Sequence, residues 1–395
     1  MLLLPPPAVM QAPPASPQVQ DFDQAFAFLQ ATYAWGSRVE WELLRTEYRA
    51  RAAAATTPQA FHRVVEDLLD QLCDAHTHLG SNLPDSWRLP PGGIAAEWRG
   101  EDAVVVAVLP GSRAAKAGVK PGQRILLVNG KPLKEALEVR KPQFLKGIED
   151  EDLHWMLNSL LAGRHGEGLT LRVAEGSASP QDLSVPPGED ADPALPEARL
   201  LPGDVGYLAF RDFGSEAVVQ RLDEAMNRFP QAKAWVLDVR LNYGGDTQFM
   251  LPVLGRFYGK RTRYAIMRKR EGAGLGSPWD EYIPSRGRTF EGPVAVLVAP
   301  WTMSTAEGLA MAVQGTLRGA VFGTRTAGLG AAVKSIQLKH SGLRVQVSAE
   351  PVYDLFMRPR GEFRPKGLLD LSRASGEDPI LDAALAWVGA RLPKR

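Results

Sequence analysis

The stretch Val298-Ala-Pro-Trp-Thr-Met-Ser304-Thr-Ala-Glu-Gly-Leu-Ala310 decides the fold. An apolar run that reads as a strand ends in a short turn, and a helix of small residues begins at Ser304. The same alternation recurs on both sides of it. Residues 205–210 read as a strand, 215–228 as a helix, 234–239 as a strand and 249–258 as a helix. The strand 294–298, the helix 305–317 and the strand 320–322 follow. Strands alternating with helices imply an α/β domain with a largely parallel sheet. No period of 20–50 residues recurs, which argues against a repeat protein.

A serine at that junction stands exposed at the carboxyl edge of the sheet. It also lies at a helix N-terminus, where free N–H groups and the macrodipole favour developing negative charge. Acyl transfer by serine needs that help. The plainer reading is a cap, because Ser304 with Glu307 spells a capping box. A second segment, Leu237-Asp-Val-Arg-Leu-Asn-Tyr-Gly244-Gly245-Asp246, ends a strand in a glycine pair ahead of a helix. Glycines there let backbone N–H groups approach a ligand oxygen. The plainer reading is a tight turn with Asp238 and Arg240 paired across it. A third segment is Asp74-Ala75-His76-Thr77-His78. No further ligand motif completes a zinc site around the two histidines, so no metal or other cofactor is expected. A general base is the competing use, since imidazole titrates near the working pH.

Residues 19–80 read as helical. Phe22, Phe26, Phe28, Leu29 and Tyr33 recur near helical spacing, and Phe61, Val64, Val65, Leu68, Leu69 and Leu72 do so again, with 52–57 between them and Gly80 as the stop. Residues 87–176 form a separate module: a strand at 103–109, a short helix at 114–118, a strand at 124–128 and a hairpin signal at Asn129-Gly130. A charged segment, an apolar-periodic run through Trp155, Leu157, Leu160 and Leu161, and a strand at 169–173 complete it. The organisation expected is an arm or export-signal remnant at 1–18, a helical region at 19–86, the module at 87–176, a linker at 177–198 and the α/β domain at 199–395.

Composition narrows the function. The chain has 395 residues, a net charge of +1 and 45% hydrophobic residues. Near-neutrality gives no long-range field, so nucleic acid is not an expected partner. A single cysteine forbids an intramolecular disulfide. No run of about 18 apolar residues suggests a membrane span.

In their order, the three segments resemble the peptidases that include tricorn and the C-terminal processing proteases. That family carries a strand ending LDLRxNxGG, then a strand–turn–SAxE helix, then GxxTxG. Here Leu237-Asp-Val-Arg-Leu-Asn-Tyr-Gly-Gly245, Ser304-Thr-Ala-Glu307 and Gly323-Thr-Arg-Thr-Ala-Gly328 stand in their places. The module resembles the family's PDZ domain, with Pro91-Gly92-Gly93-Ile94-Ala95 as the carboxylate-binding loop. The resemblance covers nearly all of residues 60–390. It implies a ClpP/crotonase-like catalytic domain with an N-terminal helical region and an inserted PDZ-like domain. It also implies a serine endopeptidase of peptides or unfolded proteins, with Ser304 as nucleophile. The oxyanion hole it implies comes from backbone N–H groups of Gly244 or Gly245 and of Thr305, and Gly92, Gly93 and Ile94 would hold a substrate C-terminus. The alternative is an inactive member that binds peptides or lipophiles.

One departure selects the branch. The processing proteases use a Ser–Lys dyad with the lysine in TxGKG, but here Leu329 stands at that position. The tricorn branch uses a histidine placed before the PDZ domain, and Asp74-Ala75-His76-Thr77 resembles that stretch. The resemblance therefore implies His76 as base, His78 as its neighbour and Glu362 as the orienting carboxylate, with Glu350 as fallback. Lys334 is the alternative base, in a displaced dyad. A periplasmic or extracellular location is expected, with the cytoplasm as the other option, and an oligomer is left open.

Overall fold

The computed structural model describes residues 15–272 and 274–393, so residues 1–14 of the expected arm lie outside the described residues. A six-stranded sheet runs in the order Gly367–Leu368, Ala320–Gly323, Val294–Val298, Ala234–Asp238, Val205–Ala209, Arg199–Leu201. The first five strands are parallel and the last is antiparallel. Ala234–Asp238 and Val294–Val298 are buried at every residue, because both faces of the sheet are covered. Trp235, Leu237, Val294, Val296 and Val298 face a core built with the helices Ala217–Arg228, Thr247–Gly255 and Thr305–Gly315. The alternate residues Val236, Ala295 and Leu297 face the helix Pro379–Gly389. Asp238 pairs with Leu297 and Val298 with Gly323, so the loops that follow these three strands leave the sheet at one edge.

The second sheet is built around Arg344–Tyr353, which pairs with Ala331–Gln337, His78–Leu79 and Thr262–Met267. Three N-terminal helices, Pro17–Thr32, Trp41–Ala54 and Pro58–Asp70, cover it through Phe22, Leu29, Leu68 and the sheet residues Val345 and Val347. The first of the two expected helical runs is itself two helices, broken between Thr32 and Trp41 by a 3₁₀ turn at Gly36–Arg38. The first helix starts at Pro17 behind the cap Ser16, two residues inside the expected arm. The third stops at Asp70 instead of running on to Gly80. Cys73 adopts φ 49°, which turns the chain so that His78 and Leu79 join the sheet.

The PDZ-like module holds the strands Ile94–Arg99, Asp102–Val108, Arg124–Val128, Leu169–Ala174 and Gln181–Val185, with the helix Asp150–Ala162. Its last strand lies within the segment read as a linker. That strand escaped notice because only Val185 of its residues is buried, too few to give an alternating pattern. The module packs directly on the carboxyl edge of the six-stranded sheet: Ala95, Ala107 and Leu109 cluster with Ala299 and Trp301. Arg140 ties it to the helical region. Its guanidinium lies 4.4 Å from the ring centre of Trp87 and 4.7 Å from that of Trp155, and it pairs with Asp70 at 2.7 Å. Among the described residues no helix is long and apolar enough to cross a membrane.

Arg140→Met would leave Asp70 without its partner and remove both cation–π contacts. Stability in urea unfolding should fall by about 2 kcal/mol. An unchanged midpoint would show that this junction carries no stability.

Candidate active site

Residues 299–304 make the turn between strand and helix. Thr302 shapes it: its hydroxyl accepts from the Ala299 N–H at 2.9 Å and donates to the Val239 carbonyl at 2.8 Å. The Met303 N–H donates to the Asn242 carbonyl at 2.9 Å, so the turn is stitched to the glycine-pair loop beside it. Ser304 then adopts φ 52°, ψ −115°. A non-glycine residue in that region costs about 1–3 kcal/mol and persists only where its surroundings hold it. The holding group is Glu307. Its buried carboxylate accepts from the Ser304 N–H at 2.8 Å, the Thr326 hydroxyl at 2.8 Å, the Gly328 N–H at 2.8 Å and the Leu329 N–H at 3.0 Å. Burial raises its pKa above the usual carboxylate value, opposed by Arg360 and by these donors. The capping box expected of Ser304 and Glu307 is present, and its glutamate arm fixes the serine in its strained turn.

The glycine pair lies against the serine. A Cβ on Gly244 would come within 2.8 Å of Ser304 Cβ, and one on Gly245 within 2.5 Å of the Phe213 backbone. Both have positive φ, 91° and 132°. The Gly244 N–H is taken by the Asn242 side chain at 2.9 Å, which removes Gly244 from the expected pair of donors. The Gly245 and Thr305 N–H groups have no hydrogen-bond partner among the described residues. Thr305 Oγ1 donates to the Gly245 carbonyl at 2.5 Å, which binds the two residues together and leaves both N–H groups unpaired. Behind the loop, Arg240 grips Asp238, with Nη2 at 2.6 Å from Oδ2, and also reaches Asp378 at 2.7 Å. The expected Asp238–Arg240 pairing is therefore present, and it locks the strand end.

His76 is buried. The Asp74 carboxylate accepts from the His76 N–H at 3.0 Å and from the Thr77 hydroxyl at 2.6 Å, and Thr77 Oγ1 accepts from the Ser348 N–H at 3.0 Å. These bonds lock the segment to the second sheet. His76 Nδ1 meets the Ala331 carbonyl at 3.0 Å, which fixes Nδ1 as the protonated nitrogen and leaves Nε2 as acceptor. Nε2 has no hydrogen-bond partner among the described residues and is not sealed from solvent. Burial, then the charge of Arg360, then His78, lower the His76 pKa to about 3, against the pull of the Ala331 carbonyl. His78 bonds the Leu79 carbonyl at 2.8 Å and Gln346 at 2.9 Å, which makes it a sheet contact.

Glu362 does not orient His76. It is exposed, its side chain has no hydrogen-bond partner among the described residues, and it lines a cavity of about 240 Å³ between loop 325–330 and the PDZ-like module. Glu350 pairs with Lys334 at 2.7 Å, and the Lys334 side chain is 51% exposed. That pairing occupies the fallback carboxylate. Half exposed, Lys334 also lacks the burial that a lysine base needs. The residue that sequence reasoning missed is Arg360. Fully buried, it donates from Nε to the Leu329 carbonyl at 2.7 Å and from Nη2 to the Ala331 carbonyl at 2.8 Å. His76 and Arg360 therefore share one carbonyl oxygen. A basic residue two before the candidate glutamate, inside a short 3₁₀ turn, carries no local signal of that role.

The comparisons bear on the fold. Residues 204–360 match Peptidase family S41, and residues 104–141 match a PDZ domain. The fold is similar to that of mature CPAF complexed with lactacystin, at TM-score 0.61 and 12% identity, over 94% of this chain and 97% of that one. It is similar to the photosystem II D1 C-terminal processing protease, at TM-score 0.57 and 20% identity, over 95% and 98%. It is also similar to a putative peptidase from Parabacteroides merdae, at TM-score 0.57 and 17% identity, over 94% and 97%. A search of curated proteins finds no match. The protein is a serine-type peptidase with a PDZ domain. Its residues 204–360 carry the match to peptidase family S41.

Gly244→Ala should push Ser304 off its position and lower kcat at least about 100-fold, with KM little changed. If His76 is the base, the limb it sets in kcat/KM against pH should lie far below the ordinary value of about 6.5, because the imidazole stays neutral down to about 3. Arg360→Met should move that limb upward, and Arg360→Lys should restore it. A wild-type limb near 6.5 would contradict the assignment. Stability carries the matching sign: the unfolded imidazole takes up a proton first, so stability drops as pH falls from about 6.5 toward 3.

Proposed function

We propose that the protein is an endopeptidase that cleaves peptides or unfolded proteins through an acyl-enzyme on Ser304. Ser304 Oγ attacks the scissile carbonyl and passes its proton to His76 Nε2. His76 keeps its Nδ1 proton on the Ala331 carbonyl, a neutral acceptor in the place that a carboxylate takes in a Ser-His-Asp triad. Arg360 holds that carbonyl from its other side. The carbonyl oxygen, as it gains charge, takes the N–H groups of Gly245 and Thr305. The protonated imidazole then gives its proton to the leaving amine, and water repeats the sequence on the ester. One observation carries the reading: two unpaired N–H groups flank a serine held in a strained turn. His76 Nε2 and Ser304 Oγ are not hydrogen-bonded here, and catalytic hydrogen bonds commonly tighten only around substrate.

The PDZ-like domain, in this proposal, takes substrate C-termini at Gly92, Gly93 and Ile94. The strand Ile94–Arg99 is partly engaged by the chain itself. The Asn158 side chain accepts from the Ala96 N–H and donates to its carbonyl, both at 3.0 Å. A peptide that adds as a strand along this edge has to displace Asn158.

A fluorophosphonate probe should label the wild-type chain on Ser304, and Ser304→Ala should lose both label and casein cleavage. His76→Ala should lower turnover by at least about 1,000-fold, whereas Glu362→Gln and Lys334→Ala should change it by less than about fivefold. Activity retained in His76→Ala and lost in Lys334→Ala would place the base on the lysine. No adduct on Ser304 in an active chain would exclude the mechanism.

A further inference from the structure

Residues 186–190, Pro-Pro-Gly-Glu-Asp, leave the last strand of the PDZ-like domain and double back over its carboxylate loop. Asp190 Oδ1 accepts from the Arg113 backbone N–H at 2.7 Å and from Arg113 Nε at 3.2 Å. Both side chains are largely shielded, at 15% and 16% exposure. Asp190 Oδ2 lies 3.0 Å from the point where a Cβ on Gly93 would stand. The small cavity at this spot is lined by Gly93, Ile94, Leu161 and Ala162 as well as by Arg113 and Asp190. Those residues join the glycine loop to the end of the helix Asp150–Ala162. The adjacent Glu189 pairs with Arg88, whose Nη2 also donates to the Gly188 carbonyl at 2.7 Å, and Arg113 Nη1 donates to the Pro186 carbonyl at 2.7 Å. Gly188, at φ 125°, makes the turn that brings Asp190 back onto Arg113.

We infer that residues 186–190 are a built-in ligand of the PDZ-like domain, with Asp190 on Arg113 at the place where a substrate's terminal carboxylate binds. The inference rests on the reading that this domain takes C-termini, and it names what they must displace. A terminal carboxylate and the Asp190 side chain have the same charge and the same acceptor geometry, so one can replace the other on Arg113 without leaving a buried charge unpaired. The internal ligand competes at an effective concentration on the order of millimolar, so a free terminus binds only in the fraction of molecules whose pocket is open. Occupancy has a short path to the chemistry. The Gly92 carbonyl accepts from Trp301 Nε1 at 2.8 Å, and Trp301 lies in the turn that carries Ser304.

The test is peptide binding to the full chain carrying Ser304→Ala, so that no turnover intervenes. The probes are fluorescent peptides with apolar C-terminal residues, as free acids and as amides. Asp190→Asn should raise affinity for the acids about tenfold and leave the amides unchanged. Adding Arg113→Met should abolish the preference for acids. Asp190→Ala serves as a second release variant. If the Ser304→Ala chain prefers acids and Asp190→Asn binds them no better, the internal ligand is refuted while C-terminus recognition stands. If no variant distinguishes acid from amide, both are refuted.

Discussion

The buried carboxylate of Glu307 is the interaction on which the site depends. It collects four donors from two loops: Ser304 N–H from the turn of the serine, and Thr326, Gly328 and Leu329 from the loop after the next strand. A carboxylate this deep is costly unless its lone pairs are filled. Filling them forces the two loops together and holds Ser304 at a φ that it would not adopt alone. The loop gripped by Glu307 continues to Ala331, whose carbonyl fixes His76. One side chain therefore sets the position of the candidate nucleophile and, through six residues of backbone, that of the candidate base. Arg360 closes the circuit by bonding the Leu329 and Ala331 carbonyls and placing a positive charge near Glu307.

That arrangement explains the leucine at position 329, where the processing proteases carry a lysine. With Leu329 buried, the cation near this loop is Arg360, approaching from a different element. An arginine stays charged, so it cannot serve as a base. Its charge disfavours protonation of His76 and keeps that imidazole an acceptor. The PDZ-like domain sits close to this machinery. Its first two strands pack on Ala299 and Trp301, and Arg325 of the loop gripped by Glu307 pairs with Glu151 at the start of its helix. A change at the glycine loop of the domain can therefore reach the turn of Ser304 through contacts rather than through a flexible tether.

The alternating strands and helices of residues 205–323 were legible in the sequence because the strands are short, continuous apolar runs separated by helical segments. Ser304, the Gly244-Gly245 pair and His76 were legible because each belongs to a local motif. The remainder depends on contacts between distant residues. Nothing near Gly244 announces that Asn242 takes its N–H, and only the folded loop separates Gly244 from Gly245 as donors. The orienting group of His76 is a backbone carbonyl 255 positions away, which no side-chain pattern can reveal. Glu362 matched a family spacing, yet the 3₁₀ turn at Arg360–Glu362 buries the arginine and exposes the glutamate. Residues 177–198 read as a linker because their composition is polar, and their composition hides both a strand and the pairing of Asp190 with Arg113.

The most direct test of the account is a crystal structure of the chain with a peptidyl phosphonate bonded to Ser304. The account predicts the phosphonyl oxygen within hydrogen-bond distance of the Gly245 and Thr305 N–H groups, His76 Nε2 beside Oγ, and Nδ1 still on the Ala331 carbonyl. A phosphonyl oxygen held elsewhere, or Lys334 in place of His76 beside Oγ, would contradict it.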